Sequence, residues 1–332
     1  MSFNQFILRE QYQKVSGLGD RLALMKEQIQ WEPFRPMVAS VYRDDKITGG
    51  RPHTDEVIIV RALLLQGWYG LSDEDLEYQC NDRLSFRNFL GFPEKVPDFS
   101  TIWKARDRLK EAGVDAEIWT ELQRQLNSKG YRVEKGVIQD ATFIEAENGR
   151  ARRAQERKAE REGKTIQYTP KQFAHMDKDG TYAVKGKEIH YGYKLHTKPD
   201  VDHGLIRSCE TTTASTNDGQ VNLVQKRDVA AYRDKGYFGT PLPKGVKDET
   251  MKRALRGRKL NGGEQRRNAR ISIVRAPGER PYAVIREVFH GGITSVTTLA
   301  RVHVKNIFVC FAYNLYQLVT LTRKHLARAL TN

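Results

Sequence analysis

Cysteine is scarce in this 332-residue chain, and its three residues are far apart in sequence. They are Cys80, Cys209 and Cys310. Because no C-x-x-C pair occurs, the sequence predicts neither a disulfide framework nor a zinc module. Isolated cysteines of this kind are typical of a reducing compartment, and we expect the cytoplasm.

Long apolar runs are missing as well. The longest, from Ile307 to Leu321, contains Asn314 and Gln317 and is too short to cross a bilayer. The first residues lack the basic segment and apolar core of a signal peptide. We therefore expect a soluble protein with no membrane partner.

Acidic residues are outnumbered by basic ones. The 41 Asp and Glu face 56 Lys and Arg, which gives a net charge of +15. A surplus of this size indicates a polyanionic partner, and double-stranded DNA is the leading candidate. The length itself favours two domains.

The positive charge is concentrated in two segments, residues 147–170 and 252–270. In the first, bases alternate with acids, as in a solvated helix or a flexible excursion. The second, which we call the basic block, has eight bases and one acid, Glu264. Its bases are Lys252, Arg253, Arg256, Arg258, Lys259, Arg266, Arg267 and Arg270. A block this dense repels itself unless phosphates neutralise it, so we expect Arg256, Arg258, Arg266 and Arg267 to contact DNA.

Three capped helix starts predict a helical region over residues 1–130. The caps are Thr54, Ser72 and Asp98. The third helix is basic and carries Lys104, Arg106 and Arg108 as candidate DNA contacts. Short helices of which the last is basic are compatible with a helix-turn-helix that reads DNA. A plain helical dimerisation domain fits the pattern equally well.

Asp140 lies inside a strand pattern. Apolar residues from Val137 to Ile144 fill both faces at a period of two, as in a strand that is covered on both sides. An ionised carboxylate in such a strand needs a partner. Mg²⁺ is a suitable one, because it takes oxygen ligands from one or two carboxylates and from substrate phosphates. A hydrogen bond to backbone amides is the structural alternative.

Two further acids occur at expected element ends. Asp234 closes an apolar run where Gly236 turns the chain, so it ends a strand, and an ordinary turn aspartate is the alternative. Glu279 precedes Pro281, which marks the predicted first turn of a helix. Glu279 is thus expected near a helix N-terminus, where an acid is favourable without any ligand.

The order of predicted elements is that of an RNase H-like sheet. After the strand of Asp140 come strands over 187–198 and 204–213, a capped helix over 216–225, the strand that Asp234 ends, and the helix of Glu279. The sequence therefore predicts an α/β fold with a helical N-terminal domain (1–130), an RNase H-like mixed-sheet catalytic domain (131–332), and a C-terminal helix from about Val304 to Leu330.

A series of short segments occurs in a fixed order along the chain. They are Gly50-Arg-Pro52, Arg61-Ala-Leu-Leu-Leu-Gln66, Leu71-Ser-Asp-Glu-Asp-Leu-Glu-Tyr78, Leu84-Ser-Phe-Arg-Asn-Phe-Leu-Gly91, Asp98-Phe-Ser-Thr-Ile102, Asp140-Ala-Thr142, Gly192-Tyr-Lys-Leu-His196, Thr213-Ala-Ser-Thr-Asn-Asp218, Asp234-Lys-Gly-Tyr237 and Arg275-Ala-Pro-Gly-Glu-Arg-Pro-Tyr282. In these segments the chain resembles the DDE transposases of bacterial and archaeal insertion sequences, specifically the insertion-sequence-five (InsH-like) group.

The resemblance implies a catalytic and metal-binding triad of Asp140, Asp234 and Glu279, with Glu287 as a rival for the last place. It implies two Mg²⁺ ions per site, for which Mn²⁺ can substitute. In this chemistry water first frees a 3′-hydroxyl at the element's end, and that hydroxyl then attacks target DNA.

The resemblance also implies DNA contacts around the triad. Arg275 and Arg286 flank Glu279 and would bind phosphates of the transposon end, and Lys194 and His196 on the neighbouring strand would touch the scissile phosphate. Ser272 stands where many relatives carry Tyr, and Arg286 where they carry Lys, so phosphate binding is expected to survive better than base stacking.

Transposition joins two DNA ends, so a homodimer or higher homo-oligomer at the nucleoid is expected. Two other functions remain open: a domesticated transposase that acts as a DNA-binding regulator, and an RNase H-like nuclease without strand transfer. The intact triad argues against the regulator. Terminal inverted repeats flanking the gene would separate the transposase from the nuclease.

Overall fold

The computed structural model describes residues 3–42, 53–147, 149–169 and 176–331. The Gly50-Arg-Pro52 segment of the resemblance lies outside the described residues. The described part of residues 1–130 is helical, as predicted. Their helices are α1 (Phe3–Ser16), α2 (Arg21–Lys26), α3 (Arg35–Ala39), α4 (Glu56–Tyr69), α5 (Asp73–Asp82), α6 (Leu84–Leu90), α7 (Phe99–Glu111) and α8 (Val114–Ser128), with a 3₁₀ turn at Glu32–Phe34.

Helix α4 is the centre of this region because it is apolar on almost every side. It begins one residue later than predicted: the side chain of Asp55, not Thr54, accepts the backbone N–H groups of Val57 and Ile58. Gly70 ends it in the left-handed conformation. A helix with no polar stripe has to be covered all round, and α4 is packed by the other helices.

Arg106 on α7 is buried, and its guanidinium donates to Gln66 Oε1 at 3.0 Å and pairs with Asp73. These bonds connect α7 to α4 and α5, and the guanidinium group of Arg106 is not accessible to solvent. Arg106 is therefore a structural residue, and the expectation that it contacts DNA is not kept. Lys104 and Arg108, on the same helix, are exposed.

The sheet has seven strands: β1 (Val137–Ala146), β2 (Thr181–Lys185), β3 (Glu188–Pro199), β4 (Ile206–Thr213), β5 (Ala230–Arg233), β6 (Lys247–Thr250) and β7 (Ile293–Thr294). β3 pairs antiparallel with β1, β2 and β4, whereas β5 and β7 run parallel to β1 and β6 runs parallel to β5. This mixed sheet confirms the predicted RNase H-like fold. The first basic segment forms a helix, α9 (Arg150–Arg161).

The helix predicted over 216–225 is wrong: only a 3₁₀ turn forms, at Asp218–Gln220. The side-chain amide of Gln139 donates to Val221 O and accepts from Leu223 N, and so occupies backbone groups that a helix would need. Strands β2 and β6 were also missed, because both are short and half-exposed.

The helix that carries Glu279 begins much earlier than predicted. It starts at a capping box between Asn261 and Glu264, not at Pro281. It runs as α10 (Gly262–Arg275), a 3₁₀ turn (Ala276–Glu279), α11 (Arg280–Ala283) and a π turn (Val284–Val288). We call residues 262–288 the composite helix. Part of the basic block therefore lies on the same helical unit as Glu279.

The C-terminal helix, α12 (Leu299–Thr331), joins the two halves of the chain. It packs on β4, where Asn314 exchanges two hydrogen bonds with the backbone of Ile206, and on α4. Residues of the N-terminal helices, the sheet and α12 form one hydrophobic core. The boundary predicted at residue 130 separates sequence segments that share a core. No helix in the described ranges is long and apolar enough to cross a membrane.

The burial of Arg106 leads to a stability prediction. We expect Arg106→Met to lower the free energy of unfolding by about 3–5 kcal/mol, because it leaves the Asp73 carboxylate without its partner. Lys104→Met, an exposed change on the same helix, should cost well under about 1 kcal/mol. Urea unfolding of both variants measures this, and equal stabilities would contradict the structural role of Arg106.

Candidate active site

Asp140 lies on β1 at the point where the pairing of β1 with β5 ends. β5 pairs with β1 only at 137–139, and β7 pairs with it only at 145–146. Between these points β1 has no strand partner on that side within the described residues. The last residue pair of the parallel ladder is Gln139 with Arg233. Asp140 and Asp234 are therefore the next residues of two adjacent parallel strands, at one open edge of the sheet.

The Asp140 carboxylate is held by one cation and one amide. Its Oδ2 accepts a hydrogen bond from Nη2 of Arg275 at 2.9 Å, and its Oδ1 accepts one from the backbone N–H of Ala141 at 2.9 Å. Burial raises the pKa of Asp140 above its ordinary value; Arg275 opposes the shift, and Asp234 and Asp218 add to it. The net direction means that the ionised group is short of positive charge.

Asp234 caps the turn that follows β5. Its Oδ1 accepts the N–H of Gly236 at 2.8 Å and starts the 3₁₀ turn Lys235–Tyr237. Both interpretations of this residue thus hold in the structure: it ends a strand, and it forms a turn. Its other oxygen makes no hydrogen bond in the described part of the chain.

The composite helix contacts the sheet through residues on either side of Glu279. Arg275 Nη2 donates to Asp140 Oδ2 at 2.9 Å, Tyr282 Oη accepts a hydrogen bond from Thr197 Oγ1 at 2.8 Å, and Arg286 Nη2 donates to Thr142 Oγ1 at 2.8 Å. Glu279 lies four residues after Arg275 and seven before Arg286, at the end of the 3₁₀ turn.

The helix is held close to the strand at this point. A Cβ on Gly278 would come within 2.7 Å of the side chain of Ile138, so only glycine fits there. Glu279 is exposed and makes no ion pair or hydrogen bond among the described residues. Glu287 lies on the π turn, one residue beyond Arg286.

Asp140 and Asp234 are adjacent at the open edge of the sheet, and Glu279 is exposed on the composite helix. No three Asp, Glu, His or Cys side chains in the described residues are placed to hold an ion together. The chemistry of the three acids nevertheless fits a hard divalent cation, since all their donors are carboxylate oxygens.

Lys194 and His196 have different surroundings on β3. Lys194 Nζ donates to Asp218 Oδ1 at 2.9 Å and to Thr216 O at 2.8 Å. His196 is fully buried, its Nε2 shares a hydrogen bond with Thr212, and burial lowers its pKa to about 4. His196 is therefore neutral at pH 7 and out of reach of a phosphate, so the expectation that it contacts DNA is not kept.

The basic block divides into anchored and exposed bases. Arg267 donates to Thr250 O and Asp248 O, and Arg258 pairs with Glu264. Arg256 and Arg266 are exposed, as are Arg253 and Lys259. A DNA backbone could reach the exposed set directly, whereas Arg267 stabilises the contact between the composite helix and β6.

Sequence reasoning named neither Asp218 nor Tyr237, although both lie close enough to Asp140 to affect its charge or to be affected by it. Both occur in segments of the resemblance, after Thr213 and after Asp234, but nothing in the residue pattern gave either a role. Their signal is positional: each ends a short polar motif that follows a strand.

Comparison with protein families agrees with this geometry. A mixed sheet with acids at one open edge and a third acid on a flanking helix is the class of RNase H-like enzymes. A model described as "Transposase DDE domain" matches residues 131–315, and one described as "Transposase domain (DUF772)" matches residues 9–108. The first match covers more than half of the chain, which therefore belongs to the DDE transposases, enzymes of DNA transposition and recombination. No solved structure matches the chain.

The raised pKa of Asp140 leads to a pH-dependent prediction. In the absence of divalent ions, the ionised carboxylate lowers the free energy of unfolding. This loss of stability is absent below about pH 4 and develops as the pH rises through the folded-state pKa of Asp140. We expect Asp140→Asn to melt higher than the wild type at neutral pH and to lose this advantage in acid. Calorimetry without divalent ions measures the difference, with Glu210→Gln on β4 as a charge-matched control. A lower melting temperature of Asp140→Asn at neutral pH would contradict the prediction.

Proposed function

We propose that this transposase binds the terminal inverted repeats of an insertion sequence, cuts at the element's ends and joins the freed 3′-hydroxyl to target DNA. The observation that carries the proposal is that Asp140 and Asp234 are adjacent at the open sheet edge, where Arg275 bonds the composite helix to Asp140. The family match supports the reaction class.

Asp140, Asp234 and Glu279 would hold two Mg²⁺ ions, with Mn²⁺ as a substitute. When bound, such a pair activates the attacking oxygen and stabilises the leaving one in an in-line displacement at phosphorus. The chain's own contribution is to fix the carboxylates on a strand, on a strand end and on a helix packed against both. No covalent bond between enzyme and DNA is needed.

Arg275 and Arg286 would position the DNA backbone on both sides of Glu279. Each already reaches β1, at Asp140 and at Thr142. An arginine fork matches the geometry of a phosphate, so a DNA strand that enters the open edge offers both side chains an alternative partner. Lys194 lies on the neighbouring strand and would approach the same strand of DNA through its ammonium group.

The exposed bases of the basic block would extend this contact along the duplex. Arg256 and Arg266 are free of the ion pairs that hold Arg258 and Arg267. Phosphate contacts of this kind orient the duplex and carry no sequence information. Recognition of the end sequence would belong to the helical region, where Lys104 and Arg108 are exposed on α7.

Joining two identical ends calls for at least two copies of the chain. A symmetric dimer would present two active sites to two ends. Native mass measurement of the protein with end DNA should give two or more subunits per complex, and a monomeric complex that performs paired-end joining would refute this part of the proposal.

The triad predicts a specific pattern of activity loss. Asp140→Asn, Asp234→Asn and Glu279→Gln should each lower Mg²⁺-dependent end cleavage by about 100-fold or more, since a metal clamp is worth several kcal/mol. DNA binding should change little, because the phosphate-binding bases remain. Glu287→Gln is the matched control on the same helix and should cut normally.

Cleavage and joining assays with labelled end DNA test this pattern and separate the alternatives. Loss of cutting in Glu287→Gln with full activity in Glu279→Gln would move the third role to Glu287. Cutting without joining by the wild type would favour a nuclease, and binding without cutting would favour a regulator.

The basic block predicts a change in salt dependence. Replacing Arg256 and Arg266 with alanine should reduce the log–log slope of DNA affinity against salt by about 0.9 for each phosphate that is no longer neutralised. The reduction should be the same for end DNA and unrelated DNA. Arg267→Ala should act mainly on stability, because its guanidinium holds backbone carbonyls of β6. An unchanged slope in the Arg256 and Arg266 variant would show that the block does not touch DNA.

A further inference from the structure

Asp218 reaches the active site from the opposite side of the sheet to the composite helix. On β1, Asp140 and Thr142 share the face that meets the composite helix, while Phe143 and its register partner Lys194 point to the other face. Asp218 lies on that other face, in an ion pair with Lys194. It borders a cavity of about 320 Å³ whose wall also includes Thr142.

The turn that carries Asp218 is packed directly on the turn that carries Asp234. Thr240 Oγ1 donates to Gly219 O at 3.2 Å, and a Cβ on Gly219 would come within 2.9 Å of Thr240 Oγ1 and 3.4 Å of Gly236 O. The two 3₁₀ turns, Asp218–Gln220 and Lys235–Tyr237, thus meet without room for a larger residue. Asp218 and Asp234 are therefore fixed relative to each other.

A buried hydroxyl without a partner lies beside these acids. Tyr237 is completely buried, and its Oη has no hydrogen-bond partner in the described residues. The side-chain amide of Gln139 bonds to Val221 and Leu223, and it lies close enough to Tyr237 to lower the pKa of the phenol in part. Burial raises the pKa of Tyr237, and the charges of Asp218 and Asp140 add to the shift. A buried hydroxyl is normally hydrogen-bonded, so we expect Tyr237 Oη to find a polar partner on the side of the acids.

We propose that Asp218 is a fourth carboxylate of the divalent-cation site, held next to Asp234 by the packed turns and balanced by Lys194 when no cation is bound. The proposal rests on the function proposed above and adds a ligand to it. A water bound to the cation would serve as the partner of Tyr237 Oη.

Charge balance supports a fourth acid. Two divalent cations bring four positive charges, and Asp140, Asp218, Asp234 and Glu279 bring four negative ones. In the cation-free protein, Arg275 and Lys194 each pair with one of these acids, at 2.9 Å in both cases. Cation binding would release both bases beside the DNA strand, where phosphates can take them up.

The test is Mn²⁺ binding by the full chain, measured by titration calorimetry without DNA. Asp218→Asn keeps the shape of the side chain and removes its charge, and it should weaken Mn²⁺ binding by about 10-fold or more. Lys194→Met removes the competing ammonium and should leave Mn²⁺ binding equal or tighter. Glu210→Gln removes one exposed carboxylate from β4 and should have no effect.

The outcomes separate this proposal from the one it rests on. If Asp140→Asn and Asp234→Asn lose Mn²⁺ while Asp218→Asn binds it like Glu210→Gln, Asp218 is only an anchor for Lys194 and the fourth ligand is refuted. If the wild type itself takes up no Mn²⁺, or Asp140→Asn and Asp234→Asn bind it normally, the metal site of the proposed function fails. Circular dichroism checks folding, and Asp218→Ser provides a second variant if Asp218→Asn unfolds.

Discussion

An ionised carboxylate on the central strand of a sheet needs compensation, and the Asp140–Arg275 ion pair supplies it. This contact joins β1 to the composite helix where, among the described residues, β1 has no strand on the side of β5 and β7. The pair is incomplete compensation, because the pKa of Asp140 stays raised despite Arg275. Burial is the largest cause of this raised pKa, and a cation beside the carboxylate would favour its ionised form.

The helical region and the sheet are held together through α12. Phe311 of α12 packs against Phe34 of the N-terminal region, with ring centroids 5.6 Å apart, while Asn314 three residues later bonds to β4. One helix thus contacts both halves of the molecule. A helical region that shares a core with the sheet cannot turn independently of it. If this region recognises the end DNA, as proposed, the bound end would be presented to the acids at a fixed angle.

The sequence was sufficient for the fold class and for the position of two acids. Val137 to Ile144 predicted a covered strand and Gly236 a strand end, and both follow from local periodicity and turn chemistry. Periodicity says nothing about which strands become neighbours. The parallel register that sets Gln139 opposite Arg233, and so makes Asp140 and Asp234 adjacent, is a long-range property.

Other errors came from reading charge without burial. On α7, Ile102, Ala105 and Leu109 are buried, and Arg106 has the same helical spacing. The period of 3.6 therefore already placed Arg106 on the inner face, where its charge needs Asp73. The start of the composite helix was missed for a different reason: Pro281 was interpreted as the first turn of a separate helix. The helical unit instead starts at Asn261 and continues through Pro277 in a 3₁₀ turn and through Pro281 in α11.

The bases around the site have two sets of possible partners, and in the proposed function this would tie cation binding to DNA binding. Arg275 and Lys194 are bound to carboxylates in the cation-free protein, so a phosphate that recruits them leaves those carboxylates unpaired. An unpaired, partly buried carboxylate is costly, which strengthens its demand for a cation. In the proposed reaction, bound DNA would then raise the affinity for cations, and bound cations would raise the affinity for DNA by the same factor, because binding linkage is reciprocal. The site would therefore bind its cations tightly only when DNA is bound as well. This would limit cutting at DNA away from the element's ends.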